Sequence, residues 1–109
     1  MSYDENLAER IRSILSDQTE LSERNMFGGL AFMLRGHMCC GVNGVELMAR
    51  VGPDAYEAAL QEPHVREMDF TGKPLKGLVY VSADGTASEA NLGKWVERAA
   101  EFVLSLPPK

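Results

Sequence analysis

The sequence predicts an α+β domain of order α-β(3)-α-β(2)-α, an antiparallel sheet with helices packed on one face. Three observations carry that prediction. Short apolar runs between Met26 and Ser82 are separated by residue pairs suited to tight turns, Arg35-Gly36 and Asn43-Gly44. Segments with apolar residues at helical spacing stand at both ends and once in the middle. Consecutive strands joined by tight turns give an antiparallel sheet, and helices before, between and after them then cover one side.

Ser2 with Glu5 reads as a capping box, and Leu7, Ile11, Ile14 and Leu15 fall on one face of a helix running to about Ser16. Asp17 to Asn25 reads as a polar connector. MFGGLAFML, HMCCGV and VELMARV then form a meander of three strands. Gly52-Pro53 ends it, and Pro53 suits the first turn of a short helix carrying Tyr56, Ala59 and Leu60, which Pro63 stops. VREMDF and GLVYVS are the last two strands, with TGKPLKG as the loop between them. Thr86 with Glu89 reads as a second capping box, after which Leu92, Trp95, Val96, Ala99, Phe102, Val103 and Leu106 give the widest helical face in the chain, ended by Pro107 and Pro108.

With 109 residues and 45% hydrophobic content, residues 1–109 suffice for a single domain with its own core, so neither metal nor disulfide is needed for folding. The net charge of -5 disfavours direct binding to nucleic acid or to an anionic membrane. No apolar run approaches the ~20 residues of a membrane-spanning helix, and the acidic start MSYDENLAER does not read as a secretory signal. Two cysteines beside six methionines fit a reducing, cytoplasmic setting.

Two-residue loops in both hairpins place Leu34 opposite His37 and Val42 opposite Val45. One face then holds Ala31, Met33, Met38, Cys40, Val42, Val45, Leu47 and Ala49, and is expected to meet the helices. The other holds Leu30, Phe32, Leu34, His37, Cys39, Glu46, Met48 and Arg50. Alternation sends Cys39 and Cys40 to opposite faces, so His37, Cys39 and Cys40 cannot converge on a metal, and no further ligand pair is present. Cys40 is expected in the core and Cys39 nearer solvent.

Other motifs read as architecture. GKPLKG departs from a Walker A loop, because Pro follows Gly-Lys and a strand follows the loop. Phe27-Gly28-Gly29 lacks a third glycine and a following helix, and its glycines suit a bulge or a close approach of backbone. The acids Asp54, Glu57, Glu62, Glu67 and Asp69 are dispersed, with no partner as acid and base. No catalytic, cofactor or metal residues are assigned, and Trp95 reads as a core anchor.

Two surfaces remain. Leu30, Phe32, Leu34, Met48 and Arg50 on the mixed face suggest an interface, most simply of a homodimer, unless the connector 17–25 folds over it. Arg24, Lys73 and Lys76 could form a local basic patch.

MFGGLAFMLRGHMCCGV, LMARVGPDAYEAAL, MDFTGKPLKGLVYV and LGKWVERA occur in an order and spacing that resembles the N-terminal domain of the TfoX/Sxy family of bacterial competence regulators. The resemblance covers nearly the whole chain. It implies the same α-β(3)-α-β(2)-α order and a non-enzymatic role, with no cofactor. Members promote transcription of competence genes together with a cyclic-AMP receptor protein, which implies a protein partner in transcription regulation. Full-length members carry a second, helical domain, so this chain is expected to be a stand-alone first domain. Two alternatives stand beside this reading: a DNA-associated domain using the basic patch, and a small thiol or metal-binding protein using His37 and Cys39.

Overall fold

A computed structural model describes residues 3–26, 28–70 and 73–107, without the side chains at 69, 70 and 73–75. Its elements are α1 (Glu5–Ile14), β1 (Leu21–Met26), β2 (Gly29–Leu34), β3 (His37–Asn43), β4 (Glu46–Arg50), α2 (Tyr56–Leu60), β5 (Val65–Phe70), β6 (Lys73–Val81) and α3 (Glu89–Leu104), with a 3-10 turn at Ala83–Thr86. The strands form one antiparallel sheet of order β1-β2-β3-β4-β6-β5. The three helices lie on one side, α3 across β2, β3 and β4, α1 against β3 and α3, and α2 against β5 and β6. The α+β class and the one-sided helices are as the sequence predicts.

The strand count differs. Residues 21–25 of the expected connector, with Met26, form a sixth strand, paired with β2 from Leu21↔Leu34 to Met26↔Gly29. Ser22 to Asn25 are exposed, because β1 is an edge strand held by backbone bonds. It therefore carries no apolar alternation for a sequence reading to find. The turn after it holds Gly28 at φ 77, and Gly29 lies against β3 so closely that a Cβ there would sit 2.1 Å from the Val42 carbonyl oxygen. Close backbone approach is thus what this glycine provides.

Leu34 pairs with His37 as expected, and Arg35 and Gly36 take the positive φ of a two-residue turn. One pair further, the register shifts. Met33 pairs with Met38 but Phe32 pairs with Cys40, which leaves Cys39 as the extra residue of a β-bulge. The bulge reverses the faces of β2 relative to β3. Leu30, Phe32 and Leu34 pack with Cys40, Val42, Leu47 and Ala49 under the helices, while Ala31 and Met33 join Met38, Met48, Met68 and Tyr80 on the far side. The expectation that Leu30, Phe32 and Leu34 stand near solvent is corrected: Phe32 and Leu34 are wholly buried and Leu30 nearly so. Each such side chain contributes roughly 1.5–3 kcal/mol of burial to the helix-side core.

The β3–β4 hairpin is corrected too. Asn43 pairs with Glu46 and Val42 with Leu47, so the loop residues are Gly44 and Val45. Gly44 at φ 60 in the first loop position matches a type II′ pattern. Val45 leaves the core face and is 56% exposed. The expected loop TGKPLKG is mostly strand, since β6 starts at Lys73 and pairs with β5 from there. Pro74 is tolerated because β4 pairs with β6 only from Leu78 onward, leaving that stretch without a neighbour on one side.

The caps also move. Ser2 lies outside the described residues, and Asp4 caps α1 by accepting from the Asn6 N–H. Ser88 caps α3 by accepting from Asn91, while Thr86 is buried in the preceding 3-10 turn. Trp95 is 3% exposed in the core, as expected, with the Arg98 guanidinium 4.4 Å from its ring centroid.

Candidate functional site

The sulfur pair meets neither of its functional requirements. The bulge turns both Cys39 and Cys40 into the helix-side core, where each is free and fully buried. Cys39 is therefore not a surface thiol, which corrects the alternation argument. A hydrogen bond with the Cys39 thiol, reinforced by burial, pushes the Cys40 thiol well up from its usual value, so it stays protonated and unreactive. His37 is turned elsewhere. Its Nε2 donates to the Pro107 carbonyl oxygen at 2.7 Å, which fixes the proton on Nε2 and ties the β2–β3 turn to the chain's last turn. Among the described residues no group of three or more His, Cys, Asp or Glu is placed to hold a metal ion.

The basic residues are not assembled. Arg24 is exposed on β1 and Lys76 on β6, with β2, β3 and β4 between those strands. The Lys73 side chain lies outside the described residues. Arg50 is half-buried, donates to the Met38 carbonyl at 3.4 Å and holds its guanidinium 5.7 Å from the Phe102 ring centroid, so it braces the sheet end against α3. Met48, expected on a solvent strip, is fully buried on the far face of the sheet.

A site that the sequence reading missed lies at the end of β3, β4, β5 and β6. A cleft of about 620 Å³ opens between the β3–β4 turn and the 3-10 turn, lined by Asn43, Val45, Glu46, Arg66, Tyr80, Ser82 and Asp84. Glu46 accepts two hydrogen bonds from Arg66, at 3.1 and 2.5 Å. The same guanidinium stacks 4.5 Å from the Tyr80 ring centroid. The Tyr80 hydroxyl accepts from the Asn43 amide at 3.1 Å. The cross-strand pairs Met48↔Tyr80 and Arg66↔Tyr80 put these groups on one face. Only correct register could have revealed them, because their positions are up to 37 residues apart in the chain. Beside this polar cluster stands Val45, the one large apolar side chain that is exposed among the described residues. The cleft thus sets one exposed apolar side chain beside hydrogen-bonding groups and charges of both signs that hold one another in place.

No helix among the described residues is long and apolar enough to cross a membrane. A family model described as TfoX N-terminal domain matches residues 13–103. No curated protein and no solved structure matches the chain.

Proposed function

This chain belongs to the TfoX N-terminal domain family, and on that premise we propose that it is a non-enzymatic regulatory module that works by protein–protein contact. The observation that carries the reading is the extent of the match, which runs from the end of α1 through every strand to the end of α3. The match therefore takes in the whole sheet with α2 and nearly all of α3, not one motif, and leaves out only α1 up to Arg12 and the chain ends. The TfoX/Sxy resemblance supplies the role: action on transcription in the cytoplasm, alongside a DNA-binding partner such as a cyclic-AMP receptor protein. The acidic net charge supports contact with a protein over contact with DNA itself. So does the separation of Arg24 from Lys76. The cleft beside Val45 is the surface best suited to such a contact.

The test is genetic and then biochemical. Removing and restoring the gene in its source cells, with transcripts measured, is expected to change a discrete set of transcripts and to restore them. Val45→Asp is expected to fold normally yet fail to restore them. Unchanged transcripts on deletion would sink the regulatory reading, and full restoration by Val45→Asp would remove the cleft from it.

A further inference from the structure

We propose that the exposed edge of β1 pairs antiparallel with β1 of a second copy, joining two sheets about a two-fold axis. The claim is independent of what the protein regulates. An open sheet has two edges, and here they differ. The β5 edge is irregular, its register shifting between Glu67 and Asp69. The β1 edge runs without a bulge or proline from Leu21 to Met26, and among the described residues no other strand pairs with its outer side. Strand edges of that kind accept another strand.

The hydrogen-bond alternation shows what the edge presents. The Arg35 N–H donates to the carbonyl of Glu20, just before the strand, at 3.2 Å, which sets the phase so that Ser22, Arg24 and Met26 are the residues that exchange bonds with β2. Leu21, Glu23 and Asn25 then point their N–H and C=O groups outward. Among the described residues no hydrogen bond to those groups is made from outside β2.

The edge residues themselves select a second copy as occupant. Ser22, Glu23, Arg24 and Asn25 are exposed, so among the described residues the middle of the edge is polar and offers no apolar anchor for the side chains of a foreign peptide. Recognition must come from backbone bonds and charge order. A two-fold axis perpendicular to the sheet requires one residue to face its own copy. With Glu23 or Arg24 on the axis, like charges meet. With Ser22 on the axis, Leu21 and Glu23 exchange backbone bonds across the interface, and Glu20, which precedes the strand at φ 58, comes within side-chain reach of the second copy's Arg24. Glu20 and Arg24 are both exposed, and neither makes an ion pair among the described residues. Glu23 on the helix side is already neutralised by Arg12. The charge order of β1 is therefore self-complementary in one register, and that pairing closes after two copies.

Sedimentation and amide exchange over a wide range of protein concentration test the proposal. The expected result is a concentration-dependent dimer in which exchange at Leu21, Glu23 and Asn25 slows as the dimer forms. Arg24→Glu should weaken association about tenfold, as two exposed pairs are lost and two repulsions gained. Glu20→Arg added to Arg24→Glu should restore it. A monomer at every concentration would overturn the proposal. So would a dimer whose edge amides exchange as fast as the monomer's, or one indifferent to both charge variants.

Discussion

Cys39 sits where β3 carries one residue more than β2, and that single residue decides the chemistry of the sulfur pair. A bulge suspends strict alternation, so neighbouring side chains can share a face. Both thiols enter the helix-side core, and the hydrogen bond between them together with burial raises the Cys40 thiol. Neither should react with a thiol reagent in the native protein, and both should react at once when urea unfolds it. Fast native labelling of Cys39 alone would restore strict alternation in β3 and remove the bulge. The burial of Cys40 was legible in the sequence because it needs only local alternation among apolar neighbours. The burial of Cys39 was not, because a bulge is set by how two strands meet, and no turn residue announces it. The same slip misplaced Leu30, Phe32 and Leu34, since one unpaired residue reverses every side chain beyond it.

Elements were legible in proportion to the apolar surface they bury. Helix α3 has buried residues from Leu92 to Val103 at helical spacing, and its existence and core face needed no partner to be read. Trp95→Ala is expected to cost about 3–5 kcal/mol, measured by urea denaturation, because the ring is 3% exposed and packs within the core. An unchanged midpoint would mean that α3 is anchored elsewhere. Strand β1 is the opposite case. It buries little, so its sequence looks like a connector, and only the backbone ladder to β2 reveals it. One side-chain link fixes it to the helix layer: Arg12 donates to Glu23 through Nε at 2.6 Å and Nη2 at 2.8 Å, and also pairs with Glu9. The hydrogen bond from Arg12 holds the Glu23 carboxyl below its usual range despite partial burial. A lowered carboxyl pKa stabilises the fold above the unfolded value of about 4.3, and that contribution is lost as pH falls through the lower folded value. Glu23→Gln should therefore flatten the acid limb of the stability curve below about pH 4.3, by about 0.2–1 kcal/mol given the exposure of the pair. An acid limb identical to that of the parent protein would show that the link adds nothing.

At the scale of the whole molecule the sheet separates two apolar layers, and the second changes how the surface is read. With helices on one side only, the far face was expected to need a partner. Instead Ala31, Met33, Met38, Met48, Met68 and Tyr80 are buried there within one chain, with Met26 and Leu78 packed beside them. Five of the chain's six methionines gather in this layer. Unbranched and flexible, they can fill the irregular space that a bulged, twisted sheet leaves. Gly41 shows how closely: a Cβ there would lie 2.8 Å from the Met48 methyl carbon, so Met48 lies across the strand where a side chain is missing. A face of this kind contributes to folding, not to association. Met48→Ala is accordingly expected to destabilise the protein by about 2–5 kcal/mol, the range for a fully buried large-to-small change. Urea midpoints of the parent and the variant, taken at low and high protein concentration, separate the two meanings of the face. A core residue gives the same difference at both concentrations, since the lost contacts lie within one chain. A difference that appears only at high concentration would place Met48 between two chains and return the far face to the surface.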